Sequence, residues 1–257
     1  MSAFDRGFPR PFGLTPHAGR RSPEAGAASE QGREDRGWCR VKLCGMKREE
    51  DLQAVAEAKP DMVGFIIGFP KSRRNVSPAR AVELCQYLDA LETDEPGARH
   101  VAKVGVFVNE PVSRIADIAA LAGLDYVQLH GSEDERYLEN LRFAVDLPII
   151  QAFTLHTEED ALRAQRSSAD LVLLDNGQGT GRTFDWSLAR RVTRPFLLAG
   201  GLTPRNVGRA VREVRPWGVD MSSGLETDGM KDPEKIRAAV AAVRRESPRA
   251  PKRDGAR

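Results

Sequence analysis

Only three cysteines occur in the 257-residue sequence, and their spacing fits neither a zinc site nor a disulfide framework. Cys39, Cys44 and Cys85 are therefore expected to be reduced thiols, as is typical of cytoplasmic proteins. Long apolar runs are also missing, since the longest, residues 62–69, is far too short to cross a bilayer. The N-terminus lacks the basic start and apolar stretch of a signal peptide. These absences predict a cytoplasmic protein with no membrane association.

An excess of charge of one sign is missing as well. The 39 basic and 37 acidic residues leave a formal net charge of +2. No basic stripe interleaved with aromatic residues appears, so nucleic-acid binding is not expected. No cluster of ligand residues indicates a metal, and no metal or other cofactor is predicted.

The two ends of the chain differ in composition from its centre. Residues 1–38 are rich in Pro, Gly, Ala, Ser and Arg without any periodicity, which predicts a disordered N-terminal extension. A solvated extension is the simplest interpretation, and a partner-binding arm is the alternative. Residues 247–257 are predicted to be a frayed C-terminal tail. Residues 39–246 are predicted to form one domain, because α/β barrels commonly occupy this length.

Within the central domain, short apolar and β-branched runs alternate with amphipathic segments. Eight such β-then-α units predict parallel strands joined by helices, which close into a (β/α)8 barrel. A doubly wound open sheet is the alternative, but the first run is not followed by a G-x-G-x-x-G turn. The strands are predicted at residues 41–44, 62–67, 102–108, 126–130, 148–153, 171–175, 196–199 and 218–222.

Helices are predicted at residues 49–58, 78–91, 112–121, 133–144 and 233–243. Ser77-Pro78 and Thr203-Pro204 each combine a capping residue with a proline and predict helix starts. Gly123 predicts a helix end.

The first strand carries the most unusual pair of side chains. Lys42 and Cys44 share one face of the strand, just before Gly45. A nearby ammonium lowers the pKa of a thiol, so Cys44 is a candidate base or nucleophile. The alternative is a small buried cysteine beside a lysine whose stem is buried.

Other polar residues fall at the carboxyl ends of strands, where barrel enzymes hold their active sites. Gln128 and His130 share a face of the fourth strand, and Asp175 ends the sixth. Arg74 lies in the basic loop after the second strand. His130 and Asp175 could instead be caps or turn residues, and Arg74 a solvated loop residue.

Small residues after the seventh and eighth strands predict a phosphate site. Gly200-Gly201 and Ser222-Ser223-Gly224 would let backbone N–H groups and hydroxyls approach an anion. A tight turn would explain the glycine pair by itself. A third glycine-rich segment, residues 177–181, follows Asp175.

Together these motifs resemble one family, phosphoribosylanthranilate isomerase of tryptophan biosynthesis. Their order and spacing agree from about residue 41 to residue 245. The motifs are Lys42-Leu43-Cys44-Gly45, Gly64-Phe65, Pro70-Lys71-Ser72-Arg73-Arg74, Val104-Gly105-Val106-Phe107-Val108-Asn109, Val127-Gln128-Leu129-His130-Gly131, Leu174-Asp175, Gly179-Thr180-Gly181 with Phe184-Asp185-Trp186, Ala199-Gly200-Gly201-Leu202 and Val219-Asp220-Met221-Ser222-Ser223-Gly224.

The resemblance implies a (β/α)8 barrel and an Amadori rearrangement of N-(5-phosphoribosyl)anthranilate to 1-(2-carboxyphenylamino)-1-deoxyribulose 5-phosphate. It implies Cys44 as general base and Asp175 as general acid, without a cofactor. Burial in an apolar mouth is expected to keep such an acid protonated. The substrate-binding residues are expected to be Lys42, Arg74, Gln128, His130 and Asp220. The phosphate-binding residues are expected to be Gly179, Gly181, Gly200, Gly201, Ser222 and Ser223.

Some features depart from the family pattern or leave alternatives open. A single glycine, Gly179, precedes Thr180 where the family often has two, and the N-terminal extension is not part of the family core. The partner is expected to be a phosphorylated small molecule, and a monomer and a homodimer both fit. Competing interpretations are an indole-glycerol-phosphate synthase, a metal-dependent sugar-phosphate epimerase, and a non-catalytic barrel that binds a partner through its tail.

Overall fold

Eight parallel strands close into a barrel in the computed structural model, which describes residues 39–93, 100–175 and 186–247. Each strand pairs with the next, and the eighth pairs with the first, so the predicted (β/α)8 barrel is confirmed. The strands are β1 Arg40–Cys44, β2 Met62–Ile67, β3 Ala102–Phe107, β4 Tyr126–Leu129, β5 Ile149–Thr154, β6 Leu171–Asp175, β7 Phe196–Leu198 and β8 Gly218–Met221.

Seven α-helices lie within the described ranges and cover the outside of the barrel. They are α1 Glu49–Ala58, α2 Pro78–Thr93, α3 Val112–Ala122, α4 Glu135–Ala144, α5 Glu158–Arg166, α6 Val207–Val214 and α7 Pro233–Glu246. Short 3-10 helices form at Ala189–Arg191 and Ser223–Leu225. None of the helices in the described part of the chain is both long and apolar enough to cross a membrane.

Two of the three predicted helix boundaries are confirmed. The Ser77 hydroxyl accepts from the backbone N–H of Arg80 at the start of α2, and Gly123 ends α3 with a positive φ of 58°. Thr203-Pro204 was wrong as a helix start, because α6 begins at Val207. The Asn206 side chain accepts from the Thr203 N–H at 2.7 Å and holds the intervening residues in a turn.

The long interval between β2 and β3 contains more regular structure than expected. A two-residue strand, Asn75–Val76, pairs with β2, and α2 runs on to Thr93, two residues beyond its predicted end. Residues 94–99 of the predicted polar loop lie outside the described ranges.

Successive side chains along each strand point to opposite faces, and the buried apolar side chains therefore form two separate hydrophobic cores. On β1, Val41 and Leu43 face outward and pack in the core between the strands and the helices. Cys44 faces inward and packs with Met62, Val104 and other apolar side chains inside the barrel. The predicted two-faced first strand is therefore correct, and it places Lys42 and Cys44 in the barrel interior.

Three aspartates support the amino-terminal end of the barrel. Asp61, Asp125 and Asp170 immediately precede β2, β4 and β6. Their carboxylates accept the backbone N–H groups of Val41, Lys103 and Ile149 at 2.7, 2.9 and 2.8 Å. These bonds tie each strand to its predecessor at the end opposite the predicted site, which is where a barrel is expected to carry its stabilising contacts.

The first and last described residues meet at this same end. The Ser247 hydroxyl accepts from the Cys39 N–H at 3.2 Å and donates to the Val243 carbonyl at 3.0 Å. Ser247, which the predicted tail included, is buried. The predictions for residues 1–38 and 248–257 lie outside the described ranges.

Candidate active site

A cavity of about 440 Å³ opens at the carboxyl ends of the strands. Part of its wall is apolar, formed by Ile66, Phe69, Val106 and Leu202. Ten of the predicted site residues line it: Cys44, Arg74, Gln128, His130, Asp175, Gly200, Gly201, Asp220, Ser222 and Ser223. Gly179 and Gly181 lie outside the described residues.

Cys44 and Asp175 reach this cavity from separate strands, β1 and β6. Around the barrel, β7 and β8 lie between these two strands. The ends of β7 and β8 carry the glycine pair and the serine pair that the sequence assigned to phosphate. The candidate base, the candidate acid and the predicted anion site therefore share one opening.

Lys42 lies beneath this cavity and is not part of its lining. Its ammonium is fully buried and forms an ion pair with Asp220, with Nζ 2.9 Å from Oδ1. Burial lowers the pKa of Lys42, but the charges of Asp220 and Cys44 outweigh burial and raise it. Lys42 is therefore protonated, and its predicted contact with substrate stays a prediction.

The Cys44 thiol is buried, and burial raises its pKa. Lys42 pulls the pKa of Cys44 down, but Asp220 acts in the opposite direction, and the net shift is upward. This differs from the expectation that Lys42 would favour the thiolate. Sequence reasoning missed the desolvation cost and the pairing of Lys42 with a carboxylate, both of which depend on the folded barrel.

Two glycines leave room for the reacting side chains. A Cβ on Gly64 of β2 would lie 2.9 Å from the Cys44 sulfur and 3.1 Å from the Lys42 Nζ. Gly45 has a positive φ of 82°, and a Cβ there would lie 2.5 Å from the Cδ of Arg74. Only glycine at these positions lets the lysine, the cysteine and the arginine pack as they do.

Arg74 is held in place by a carboxylate that the sequence analysis missed. Its Nε and Nη2 donate to the two carboxylate oxygens of Glu226 at 2.5 and 2.9 Å. Arg73 donates to the same carboxylate at 2.6 Å. The bidentate contact occupies one edge of the Arg74 guanidinium, and Arg74 is part of the cavity lining.

Glu226 belongs to a small antiparallel hairpin, in which Glu226–Thr227 pairs with Met230–Lys231. Asp228 and Gly229 form the turn with φ angles of 51° and 78°. An Asp-Gly pair is a strong hairpin signal, so the sequence contained the information needed to predict this element. It gave no sign that Glu226 would bind Arg74, or that Lys231 would donate to Ser222, at the cavity wall.

Gln128 and His130 are brought together at the end of β4. The Gln128 Nε2 lies 3.0 Å from the His130 Nδ1. Gln128 is fully buried, and its Oε1 has no hydrogen-bond partner among the described residues. A buried amide oxygen without a partner is costly, so a ligand hydroxyl in the cavity would be a favourable donor for it.

The two predicted phosphate segments pack against each other. Gly200 and Gly201 have positive φ angles of 93° and 62°, which glycine adopts without strain. A Cβ on Gly224 would lie 2.0 Å from the carbonyl oxygen of Leu202, so glycine is required there. The Ser222 hydroxyl donates to the Cys44 carbonyl at 3.0 Å, which connects this segment to the candidate base.

Among the described residues, no group of three or more His, Cys, Asp or Glu side chains could hold a metal ion. The cavity lining contains a thiol, two carboxyl groups, a guanidinium and the glycine and serine segments at the ends of β7 and β8. These groups can bind an anionic substrate and transfer protons.

Comparison with known proteins decides the family. The family model of N-(5'-phosphoribosyl)anthranilate (PRA) isomerase matches residues 41–242. This chain belongs to that family. The N-(5'-phosphoribosyl)anthranilate isomerase of Roseiflexus sp. (strain RS-1) is 41% identical over 212 residues, which cover 79% of this chain and 97% of the relative.

Solved structures of phosphoribosylanthranilate isomerases agree with this membership. The Thermotoga maritima enzyme superposes with a TM-score of 0.69 at 36% identity, covering 80% of this chain and 98% of that one. A phosphoribosylanthranilate isomerase in complex with reduced 1-(O-carboxyphenylamino)-1-deoxyribulose 5-phosphate gives a TM-score of 0.67 at 36% identity, with the same coverage. The resemblance seen in the sequence is confirmed, and the chain is an isomerase.

Proposed function

We propose that this isomerase converts N-(5-phosphoribosyl)anthranilate to 1-(2-carboxyphenylamino)-1-deoxyribulose 5-phosphate, a step of tryptophan biosynthesis. The observation that carries the proposal is that Cys44 and Asp175 line one cavity on either side of the two predicted phosphate segments. The complex of a relative with the reduced product gives the ligand chemistry that such a cavity takes.

Binding precedes the chemistry. The phosphate is held by backbone groups of Gly200 and Gly201 and by the Ser222–Ser223 segment. The Arg74 guanidinium, fixed by Glu226, contacts the anthranilate end, and the Gln128 amide accepts from a sugar hydroxyl. Because the phosphate does not react, its binding energy is available to position the sugar between the acid and the base.

Asp175 starts the reaction as general acid. It donates a proton to the furanose ring oxygen, the bond from that oxygen to C1 breaks, and the nitrogen lone pair forms a protonated Schiff base. Asp175 is the last residue of β6 and is partly exposed at the cavity, where its carboxyl group can reach a bound sugar. The freed ring oxygen becomes a hydroxyl, so the proton is retained in the product.

Cys44 completes the reaction as general base. The cationic Schiff base acidifies the proton on C2, the thiolate removes it, and the electron pair forms an enolamine. The enolamine then gains a proton at C1 and loses the hydroxyl proton at C2, which yields the ketone. No net change of oxidation state or of proton number occurs, as an isomerisation requires.

Two substitutions test the assignment directly. Cys44→Ala and Asp175→Asn should each lower kcat by about 10² or more, because each removes a proton-transfer partner. Conversion of purified substrate is followed by chromatography of substrate and product. Cys85→Ala and Asp160→Asn are matched controls, since neither residue lines the cavity. Turnover close to that of the unmodified enzyme in either test variant would show that its role is misassigned.

A growth experiment separates the isomerase from a non-catalytic barrel. The gene should restore growth of a tryptophan auxotroph that lacks this step, and the Cys44→Ala variant should not. A cytoplasmic location and the choice between monomer and homodimer stay predictions from the sequence.

A further inference from the structure

A second buried lysine lies beside the candidate base, although the mechanism above does not use it. The Lys231 side chain is only 2% exposed. Its ammonium donates to the Ser222 carbonyl at 2.9 Å and lies 3.1 Å from the Glu226 Oε1. Because Ser222 in turn donates to the Cys44 carbonyl, this lysine is connected to the first strand through one residue.

The hairpin fixes the position of this ammonium. Lys231 pairs directly with Glu226 across the two short strands, and the Asp228-Gly229 turn sets their register. The Glu226 carboxylate is itself 4% exposed. Both members of the ion pair are therefore held by backbone pairing, which reduces the entropy lost in keeping two long side chains together.

The charges around the cavity are unevenly distributed. Lys42 and Asp220 form a buried pair with no net charge. Glu226, in contrast, accepts from three cations, Arg73, Arg74 and Lys231, so these four side chains together carry a net charge of +2. Arg73 is 60% exposed and screened by solvent, whereas the field of the buried Lys231 is screened much less.

The acidity of Cys44 responds to this arrangement. The charged groups around it are Lys42 on its own strand, Asp220 on β8, Lys231 on the hairpin, and Arg74 and Asp175 at the cavity wall. Burial raises the pKa of Cys44, Lys42 lowers it, Asp220 raises it and Lys231 lowers it. Asp220, the carboxylate paired with Lys42, acts against Lys42 at the thiol. Lys231 is paired with Glu226, and burial lowers the pKa of Lys231 while Glu226 acts in the opposite direction.

We infer that Lys231 is a positioning residue for the isomerisation: its ammonium, held by Glu226 and by the Ser222 carbonyl, stabilises the thiolate that Cys44 must form to act as a base. This inference rests on the proposed role of Cys44. It assigns the hairpin a part in the reaction, because the hairpin brings the charge to the carboxyl end of β1.

The test measures the acidity of Cys44 in the full-length protein without substrate. Iodoacetamide alkylates thiolates, with carbon–sulfur bond formation and loss of iodide, and mass spectrometry reports the rate at Cys44 separately from Cys39 and Cys85. In Lys231→Met the midpoint of the rate against pH should rise by about one unit. The rate at neutral pH would then fall roughly tenfold, since one pKa unit is a tenfold change in thiolate.

Two variants serve as controls. Lys231→Arg keeps the charge and should restore most of the alkylation rate. Lys235→Met removes another lysine held at the same hairpin, which donates to the Glu226 backbone carbonyl at 2.6 Å, and it should leave the midpoint unchanged. If Lys231→Met does not fold, Lys231→Gln keeps a donor for Ser222 without charge and takes its place.

Two results would overturn the inference. One is an unchanged midpoint in the neutral variants. The other is a rate that changes by the same factor at every pH, which would indicate altered access to the sulfur and a structural role alone. Because alkylation needs no turnover, a failure of the proposed function would be seen separately, as full activity of Cys44→Ala.

Discussion

Replacing Gly64 with alanine tests whether the position of the Cys44 sulfur controls turnover. The new methyl group would lie 2.9 Å from Sγ and 3.1 Å from the Lys42 Nζ. Favourable contacts begin at about 3.5 Å, so the sulfur must move by about half an ångström and the ammonium by slightly less. Since a displacement of about 1 Å can cost 10²-fold in rate, we expect kcat to fall about tenfold.

Overpacking also destabilises the barrel by roughly 1–3 kcal/mol, and this effect must be separated from catalysis. Gly218→Ala, at the start of β8, provides the matched control. Its Cβ would lie 2.8 Å from the Leu197 Cδ2 and 2.9 Å from the Arg40 carbonyl oxygen, and Gly218 does not line the cavity. Thermal unfolding and steady-state kinetics are measured for both variants. Gly218→Ala should lose stability but keep its kcat. An unchanged kcat in Gly64→Ala, or an equal loss in both variants, would refute the reasoning.

Two further outcomes can be measured on the same protein. Gly201→Asp should raise KM at least tenfold by placing a carboxylate at the predicted phosphate site. Gly201→Ala, whose Cβ meets no atom of the described residues within 4 Å, should show only the backbone strain, and equal KM values would exclude the site. Burial lowers the pKa of His100, but hydrogen bonds to Asp125 and Glu92 outweigh it and raise the pKa to about 9. The pKa of His100 in the unfolded chain is about 6.5, so the ionised His100 stabilises the fold fully below pH 6.5 and this contribution is lost as the pH rises through 9. Urea unfolding should therefore show the free energy of unfolding falling by up to about 3 kcal/mol over this pH range, and His100→Gln should lack this loss.

The barrel could be predicted from the sequence because the patterns that mark its strands and helices are local and repeat along the chain. Each buried parallel strand is a short apolar run, and each run is followed by an amphipathic segment with its own capping residues. The site followed from the same logic, since strand ends in a barrel must converge on one opening. Cys44, Asp175 and Gly200 could therefore be grouped without knowing any contact between them.

The features that were predicted wrongly or missed share a physical cause: each depends on interactions between residues that the sequence pattern does not show to be in contact. The start of α6 depends on the Asn206 side chain, which bonds to Thr203 in place of helix formation at Pro204. The acidity of Cys44 depends on burial and on Asp220, which lies on the last strand. The position of Lys231 depends both on the register of the hairpin and on the carboxylate of Glu226, five residues earlier.

The bond between Cys39 and Ser247 has a practical consequence for engineering. Because the backbone N–H of the first described residue touches the side chain of the last, a short linker could join these two positions, and new termini could be opened in an exposed helix connection. Such a circularly permuted enzyme should retain its strand pairing, since no ladder bond is cut, and its cavity at the other end of the barrel would be untouched.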